Sequence, residues 1–297
     1  MSSDPIDASA PGGGGAPVVD FAAHTLPQVD LPALAELCRR AVADPPSVDE
    51  LSGALAAPEQ PATLFGHPSS GVVALVEWED GAHIRLLAVD PDYRGQGLGH
   101  RLLEAAEGWA RQRGHHRLIA GADPPYWLWP GVPSTATELL CLLESRHYRR
   151  TQTNFNMDVD LRSIPPDPGP GQYTLARPED LDEVDVWMKA NWPNWRLEAV
   201  RALRGGNLVI TRQDGVGSIT AFCAFEVNRA GHLGPVGVRP DLMGQGQGRS
   251  VLLGALHELR RRGAESVSVV WIGPVRPYAS VGGRVSDVYF VHRKKLA

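Results

Sequence analysis

Two glycine-rich segments place backbone where it could do chemistry. Val89-Asp90-Pro91-Asp92-Tyr93-Arg94-Gly95-Gln96-Gly97-Leu98-Gly99 and Val238-Arg239-Pro240-Asp241-Leu242-Met243-Gly244-Gln245-Gly246-Gln247-Gly248 align at a constant offset of 149 residues and agree at seven of eleven positions. Unrelated segments of average composition would share roughly one. Glycines without Cβ let successive N–H groups turn toward a phosphate, and the helix that follows presents its positive dipole end there. Each loop is therefore expected to grip a pyrophosphate. No lysine follows the glycines, as a nucleoside triphosphatase loop requires, and their spacing by two is not GxGxxG.

The pattern Val89-x-Pro91-x-x-Arg94-Gly95-x-Gly97-x-Gly99 resembles the pyrophosphate motif of the GCN5-related N-acetyltransferase (GNAT) superfamily: Arg or Gln, two residues, Gly, one residue, then Gly or Ala. In the second copy Met243 stands where Arg or Gln is usual, while Gly246 and Gly248 hold. The resemblance runs over Val18–Leu161 and Tyr173–His292. It implies acetyl-CoA as co-substrate and no metal. It also implies a splayed strand before each loop, whose backbone at Leu87 and Val89, or at Val236 and Val238, pairs with pantetheine and polarises the thioester carbonyl. A backbone N–H aimed at a developing oxyanion is an effective catalytic device.

Acetyl transfer to an amine needs a deprotonated amine and a protonated leaving thiolate. The superfamily often protonates the thiolate with a Tyr in a Tyr-x-x-x-Gly helix, which Tyr278-Ala279-Ser280-Val281-Gly282 matches. Gly283 follows where Phe or Tyr is common, and Pro277 precedes. The first half has Leu143 and His147 in the corresponding places. Tyr278 is accordingly the expected acid and the second half the expected catalytic one. Glu226 and His232 are candidate bases, with a turn role as the alternative for each; Glu77 and Glu79 are the counterparts in the first half. Trp192-Pro193-Asn194-Trp195 and Tyr126-Trp127-Leu128-Trp129-Pro130-Gly131 are aromatic enough to wall an acceptor pocket, to pack a core, or, for the latter, to join the halves.

The elements that must position these groups repeat in order. Apolar spacing predicts helices over Leu31–Val42 and Val48–Leu55, then strands Gly71–Trp78 and His83–Val89 joined at Asp80-Gly81. A helix follows over Gly97–Gly114, then a strand at Arg117–Ala120, a helix over Thr135–Ser145 and a closing strand over Thr153–Leu161. The second half repeats this through helices Pro178–Lys189 and Leu197–Leu203, strand His232–Val238, helix Gln247–Arg262, strand Ser266–Trp271 and closing strand Arg284–His292. The expected class is mixed α+β, as two tandem GNAT-type domains, each a mostly antiparallel twisted sheet flanked by helices with a splayed pair for CoA. Residues 1–16, rich in Gly, Pro and Ser, are expected to be a disordered tail. Residues 17–161 and 173–297 form the domains, and 162–172, with four prolines, an exposed stiff linker.

Composition bounds the partners. Of 297 residues 43% are apolar and 21% charged, and the net charge is −5, which fits a globular chain and provides no basic footprint for nucleic acid or membrane. The three cysteines Cys38, Cys141 and Cys223 are far apart and read as small buried apolar side chains. His115 and His116 read as solvent-facing. Without a signal segment or a run of about 18 apolar residues, a cytoplasmic enzyme acting on a small-molecule amine is expected. Acceptor classes are a mycothiol-precursor-like amino sugar, an aminoglycoside-like antibiotic or a protein amine. The reading from another class is a catalytically impaired CoA-binding regulatory or scaffold protein. A Fem-like peptidyltransferase has no need of two pyrophosphate loops.

Overall fold

The computed structural model describes residues 29–78, 81–169 and 171–296. The tail expected over 1–16, the start of the first domain at 17, Glu79 and Asp80 lie outside the described residues. The first half opens with α1 (Leu31–Ala41) and α2 (Val48–Leu55). Asp30 accepts from the Ala33 N–H, and Ser47 and Glu50 form a reciprocal capping box, so both N-termini have partners for otherwise orphaned donors.

An antiparallel meander follows: β1 (Thr63–His67), β2 (Gly71–Trp78) and β3 (Gly81–Val89). β1 is absent from the sequence reading, because a Gly interrupts a segment of only five residues. Gly66 has φ +96°, and a Cβ there would strike the Gly71 carbonyl oxygen, so only glycine fits. Then come α3 (Leu98–Gln112), β4 (Arg117–Ala120), the two-residue β5 (Val132–Pro133), α4 (Thr137–Ser145) and β6 (Arg149–Asp160). The second half runs β7 (Thr174–Leu175), α5 (Leu181–Asn191), α6 (Arg196–Arg204), β8 (Leu208–Arg212), β9 (Ile219–Phe225), β10 (His232–Val238), α7 (Gln247–Arg261), β11 (Ser266–Ile272), α8 (Val275–Ala279) and β12 (Arg284–Lys295).

The fold is mixed α and β, as expected. Its strands join one sheet in the order β1-β2-β3-β4-β12-β6-β11-β10-β9-β8-β7, with β5 on β12. Among the described residues only the β3–β4 and β10–β11 ladders are parallel. At the centre the two last strands are exchanged: β6 pairs with β11 of the second half, and β12 pairs with β4 of the first. β6 and β12 also pair with each other from Asp158↔Arg284 to Arg149↔Arg293.

Each half carries helices on both faces. In the first, Leu34, Leu37, Leu51 and Leu55 of α1 and α2 bury against Val72, Ala74 and Val76, while Leu98, Leu102 and Leu103 of α3 bury against Val73, Leu75 and Ile84. The period-2 alternation of β2 sends successive valines to opposite faces. The second half repeats this with α5 and α6 on one face and α7 on the other. Within the expected linker, residues 165–167 are tied down, since Asp167 accepts from the Tyr173 hydroxyl at 2.9 Å and the Pro165 carbonyl meets His257 Nε2 at 2.9 Å. Among the described residues no helix is long and apolar enough to cross a membrane.

Candidate active site

β3 keeps register with β4 only over Ala82–Ile84, and β10 with β11 only at His232 and Leu233. Beyond those points β3 runs on to Val89 and β10 to Val238, leaving a wedge on one edge of each. A break in pairing precedes each wedge: Arg85 is extra opposite Ala74 and Leu75, and Gly234-Pro235 opposite Ala224. Such bulges twist a strand away from its neighbour.

Both wedges end in the glycine loop. Gly95, Gly97, Gly244 and Gly246 have φ of +74°, +79°, +82° and +88°, and a Cβ on any of them would face open space. Gly97 and Gly246 cap α3 and α7 without a side-chain acceptor, so the N–H groups that open each helix have no side-chain partner. Gln96 and Gln245 brace their loops by donating to the Asp92 and Asp241 carbonyls at 3.0 and 3.4 Å. Backbone donors, open approach and a helix dipole together fit a pyrophosphate at either loop.

The halves differ beside the loops. In the first, Leu87 is 6% exposed, and Val89, Tyr93, Trp129, Leu139, Leu140 and Leu142 pack around a core that includes fully buried Leu143. A Cβ on Gly99 would lie 2.7 Å from Leu142 Cδ2, so α4 rests on the start of α3. In the second half Gly234, Pro235, Val236 and Val238 are all partly exposed, and α8 has five residues against nine in α4. The freed edge of β10 is the more exposed of the two. Arg94 donates to the Val89 carbonyl at 3.2 Å and the Ala41 carbonyl at 3.0 Å, tying the first loop to the end of α1, whereas Met243 is 55% exposed.

Residues 48–125 match the family model of the acetyltransferase (GNAT) family. Solved structures agree on the fold. The GCN5-related glucosamine N-acetyltransferase region of a fungal multi-domain GH3 β-N-acetylglucosaminidase is 20% identical with a TM-score of 0.75; the match covers 97% of this chain and 39% of that one. A GCN5-related N-acetyltransferase from Sphaerobacter thermophilus is 23% identical with a TM-score of 0.69, covering 93% and 96%. A tandem GNAT protein from the clavulanic acid biosynthesis pathway is 15% identical with a TM-score of 0.70, covering 94% and 99%. Residues 48–125 carry the sequence signature of that family, and the chain as a whole shares the GNAT fold. No curated protein matches.

Within this GNAT fold Tyr278 sits on α8 and packs with Val236 and Val238 against the second-half core. Burial, and next the neighbouring Cys223, push its pKa up to about 12. It stays protonated across the neutral range. Its hydroxyl has no hydrogen-bond partner among the described residues. Gly283 follows Tyr278-x-x-x-Gly282 for a steric reason: a Cβ there would lie 2.8 Å from the Tyr278 carbonyl oxygen. His147 of the first half adopts the same left-handed turn as Gly282, with φ of +64° against +97°. Arg249 escaped the sequence reading. It donates to the Ser280 carbonyl at 3.1 Å and to Ser280 Oγ at 2.9 Å, joining the first turn of α7 to the end of α8.

The candidate bases lie elsewhere. Glu226, at φ +48°, accepts from the Gly231 N–H at 3.2 Å and closes the β9–β10 turn. His232 Nε2 lies 3.9 Å from Asp44 Oδ2, and burial followed by Arg229 lowers its pKa. Tyr278 is instead close to Cys223, which pairs with Val236. Glu226 follows the end of β9, three residues past Cys223. In the first half Glu77 meets His115 Nε2 at 2.7 Å, so that histidine is engaged and not simply solvent-facing. Trp192 stacks on Trp195 at 4.9 Å, and its Nε1 donates to the Val238 carbonyl at 3.1 Å; the pair belongs to the α5–α6 core. Cys38 and Cys223 are buried as expected, but Cys141 is exposed. Among the described residues no cluster could hold a metal ion.

Proposed function

We propose that the second half is an acetyl-CoA-dependent N-acetyltransferase acting on a primary amine of a small molecule, and that residues 17–161 and 173–297 are tandem GNAT domains whose last strands are exchanged. The observation that carries this reading is the coincidence in one half of the more exposed freed edge, a left-handed glycine loop and a phenol held protonated beside them. Acetyl-CoA, when bound, supplies the activated acyl group. The backbone of Gly244–Gly248 would hold its pyrophosphate, and the edge of β10 freed from β11, at Val236 and Val238, would take the pantetheine and orient the thioester carbonyl. Tyr278 keeps a proton on its phenolic oxygen for the departing sulfur, and the amine must arrive deprotonated. The first half, with its freed edge the more buried, is read as a companion that supports the second.

Similarity to a glucosamine N-acetyltransferase region makes an amino sugar the first acceptor to try, followed by aminoglycosides and protein amines. Thiol release from acetyl-CoA should be amine-dependent, and Tyr278→Phe should lower kcat by about 10²-fold with little change in KM for acetyl-CoA. Undiminished kcat in Tyr278→Phe would remove Tyr278 from the mechanism, and saturable CoA binding without turnover on any amine would favour a regulatory role.

A further inference from the structure

Trp271 lies on the stretch of β11 that has left β10, two residues past the last paired position, Val269. Its φ of +53° is a conformation that a bulky side chain rarely adopts and that persists only when its surroundings enforce it. Part of that enforcement is Asn156 of β6, whose Oδ1 accepts from the Trp271 N–H at 3.0 Å. The residue 149 positions earlier, Ala122, takes the same left-handed turn at φ +62°. There it carries only a methyl group.

Against Trp271 stands a residue of the other half. Trp127, in the loop after β4, meets it with ring centroids 4.7 Å apart at 52°, and both rings are partly exposed. The Trp127 loop is built to hold its place. Arg85 and Asp123 form a fully buried ion pair at 2.8 Å beneath it. The neighbouring Tyr126 ring lies 4.9 Å from the Arg85 guanidinium and 4.1 Å from that of Arg201 on α6. Arg201 also donates to the Pro125 carbonyl at 2.7 Å, so the loop is fastened from both halves.

Beside Trp127 is Glu198 of α6, 3% exposed. Its Oε1 accepts from Asn228 at 3.1 Å, while its buried Oε2 is left without a well-formed hydrogen bond, the Trp127 indole N–H lying toward the carboxyl. Burial pushes its pKa up to about 7, opposed by Arg201 and by the adjacent Trp127 indole. A buried carboxylate oxygen without a donor is unfavourable, and an ammonium group nearby would offset that.

We propose that the acceptor site of the second half is shared between the halves, with Trp127 and Trp271 forming an aromatic wall beside the buried carboxyl of Glu198, and that it takes a primary amine carried on a ring. Indole faces attract both an ammonium and the flat face of a ring, and a neighbouring ammonium favours the ionised form of Glu198, which then supplies the opposite charge. This rests on the reading that the second half does the chemistry. It assigns to the first half a direct part in choosing the substrate.

The test is binding of tyramine, glucosamine and butylamine to the full chain in the presence of CoA, by calorimetry, alongside CoA binding itself. At least one ring amine should bind about tenfold tighter than butylamine. Trp127→Ala should erase that preference while CoA affinity stays within about twofold, and Trp127→Phe should retain it. Equal affinity for butylamine in the wild type, or a preference that survives Trp127→Ala, overturns the shared site. Absence of CoA binding in the wild type is a separate result, which overturns the catalytic reading of the second half.

Discussion

Glu198 and Tyr278 are both displaced upward by burial, to about 7 and about 12, yet with opposite bearing on folding at neutral pH. Tyr278 is neutral there whether folded or not. Glu198 has a folded value above its ordinary 4.5, so the stability it contributes is fully present below about pH 4.5 and is lost as pH rises through about 7. Glu198→Gln should therefore be close to neutral at pH 4.5 and more stable than wild type by about 1–3 kcal/mol at pH 8, read from urea melts at both. An equal difference at the two pH values would mean that the carboxylate does not titrate in this window. Tyr278 was legible because its chemistry is tied to a local spacing, Tyr-x-x-x-Gly. Glu198 was not, since a glutamate within a helical pattern reads as a solvated face until the facing loop is placed on it. Glu226 and His232 were credible by type alone, and their commitment to a turn and to Asp44 is a tertiary fact.

At the level of elements, the two loops share left-handed glycines at matching positions, and what separates them is the helix opposite. α4 brings Leu142 onto Gly99, whereas in the second half the nearest atom to a Cβ on Gly248 is Val238 Cγ2 at 3.1 Å. The left-handed glycines were readable because no other residue tolerates that backbone cheaply; the deeper burial of one freed edge was not, because it depends on how leucines 40 residues away dock. Gly237 illustrates close approach in the second wedge. A Cβ there would lie 2.6 Å from Phe222 Cε1 and 2.9 Å from Trp192 Cε2, the same indole that donates to Val238. Gly237→Ala is expected to cost about 1–3 kcal/mol by overpacking, measured by chemical denaturation. A cost near zero would mean that the α5–α6 connection gives way freely.

Across the whole molecule the exchanged strands set what can fold. Hydrophobic alternation predicts strands over Thr153–Leu161 and Arg284–His292, against Arg149–Asp160 and Arg284–Lys295 in the structure, but alternation specifies a face and not a partner. The exchange thus lay beyond the sequence. Because β12 fills the place between β4 and β6, a chain ending at Leu161 lacks the strand that completes its sheet. That fragment should show no cooperative thermal transition, while the full chain should melt in a single one. A cooperatively folded 1–161 fragment would mean that the exchange is dispensable.

The claim on which the rest depends is that both glycine loops are formed but only the second serves an edge exposed enough to take CoA. Calorimetric titration with CoA tests it most directly. One site per chain is predicted, lost in Gly246→Glu and retained in Gly97→Glu; two sites, or loss in Gly97→Glu with retention in Gly246→Glu, would contradict it.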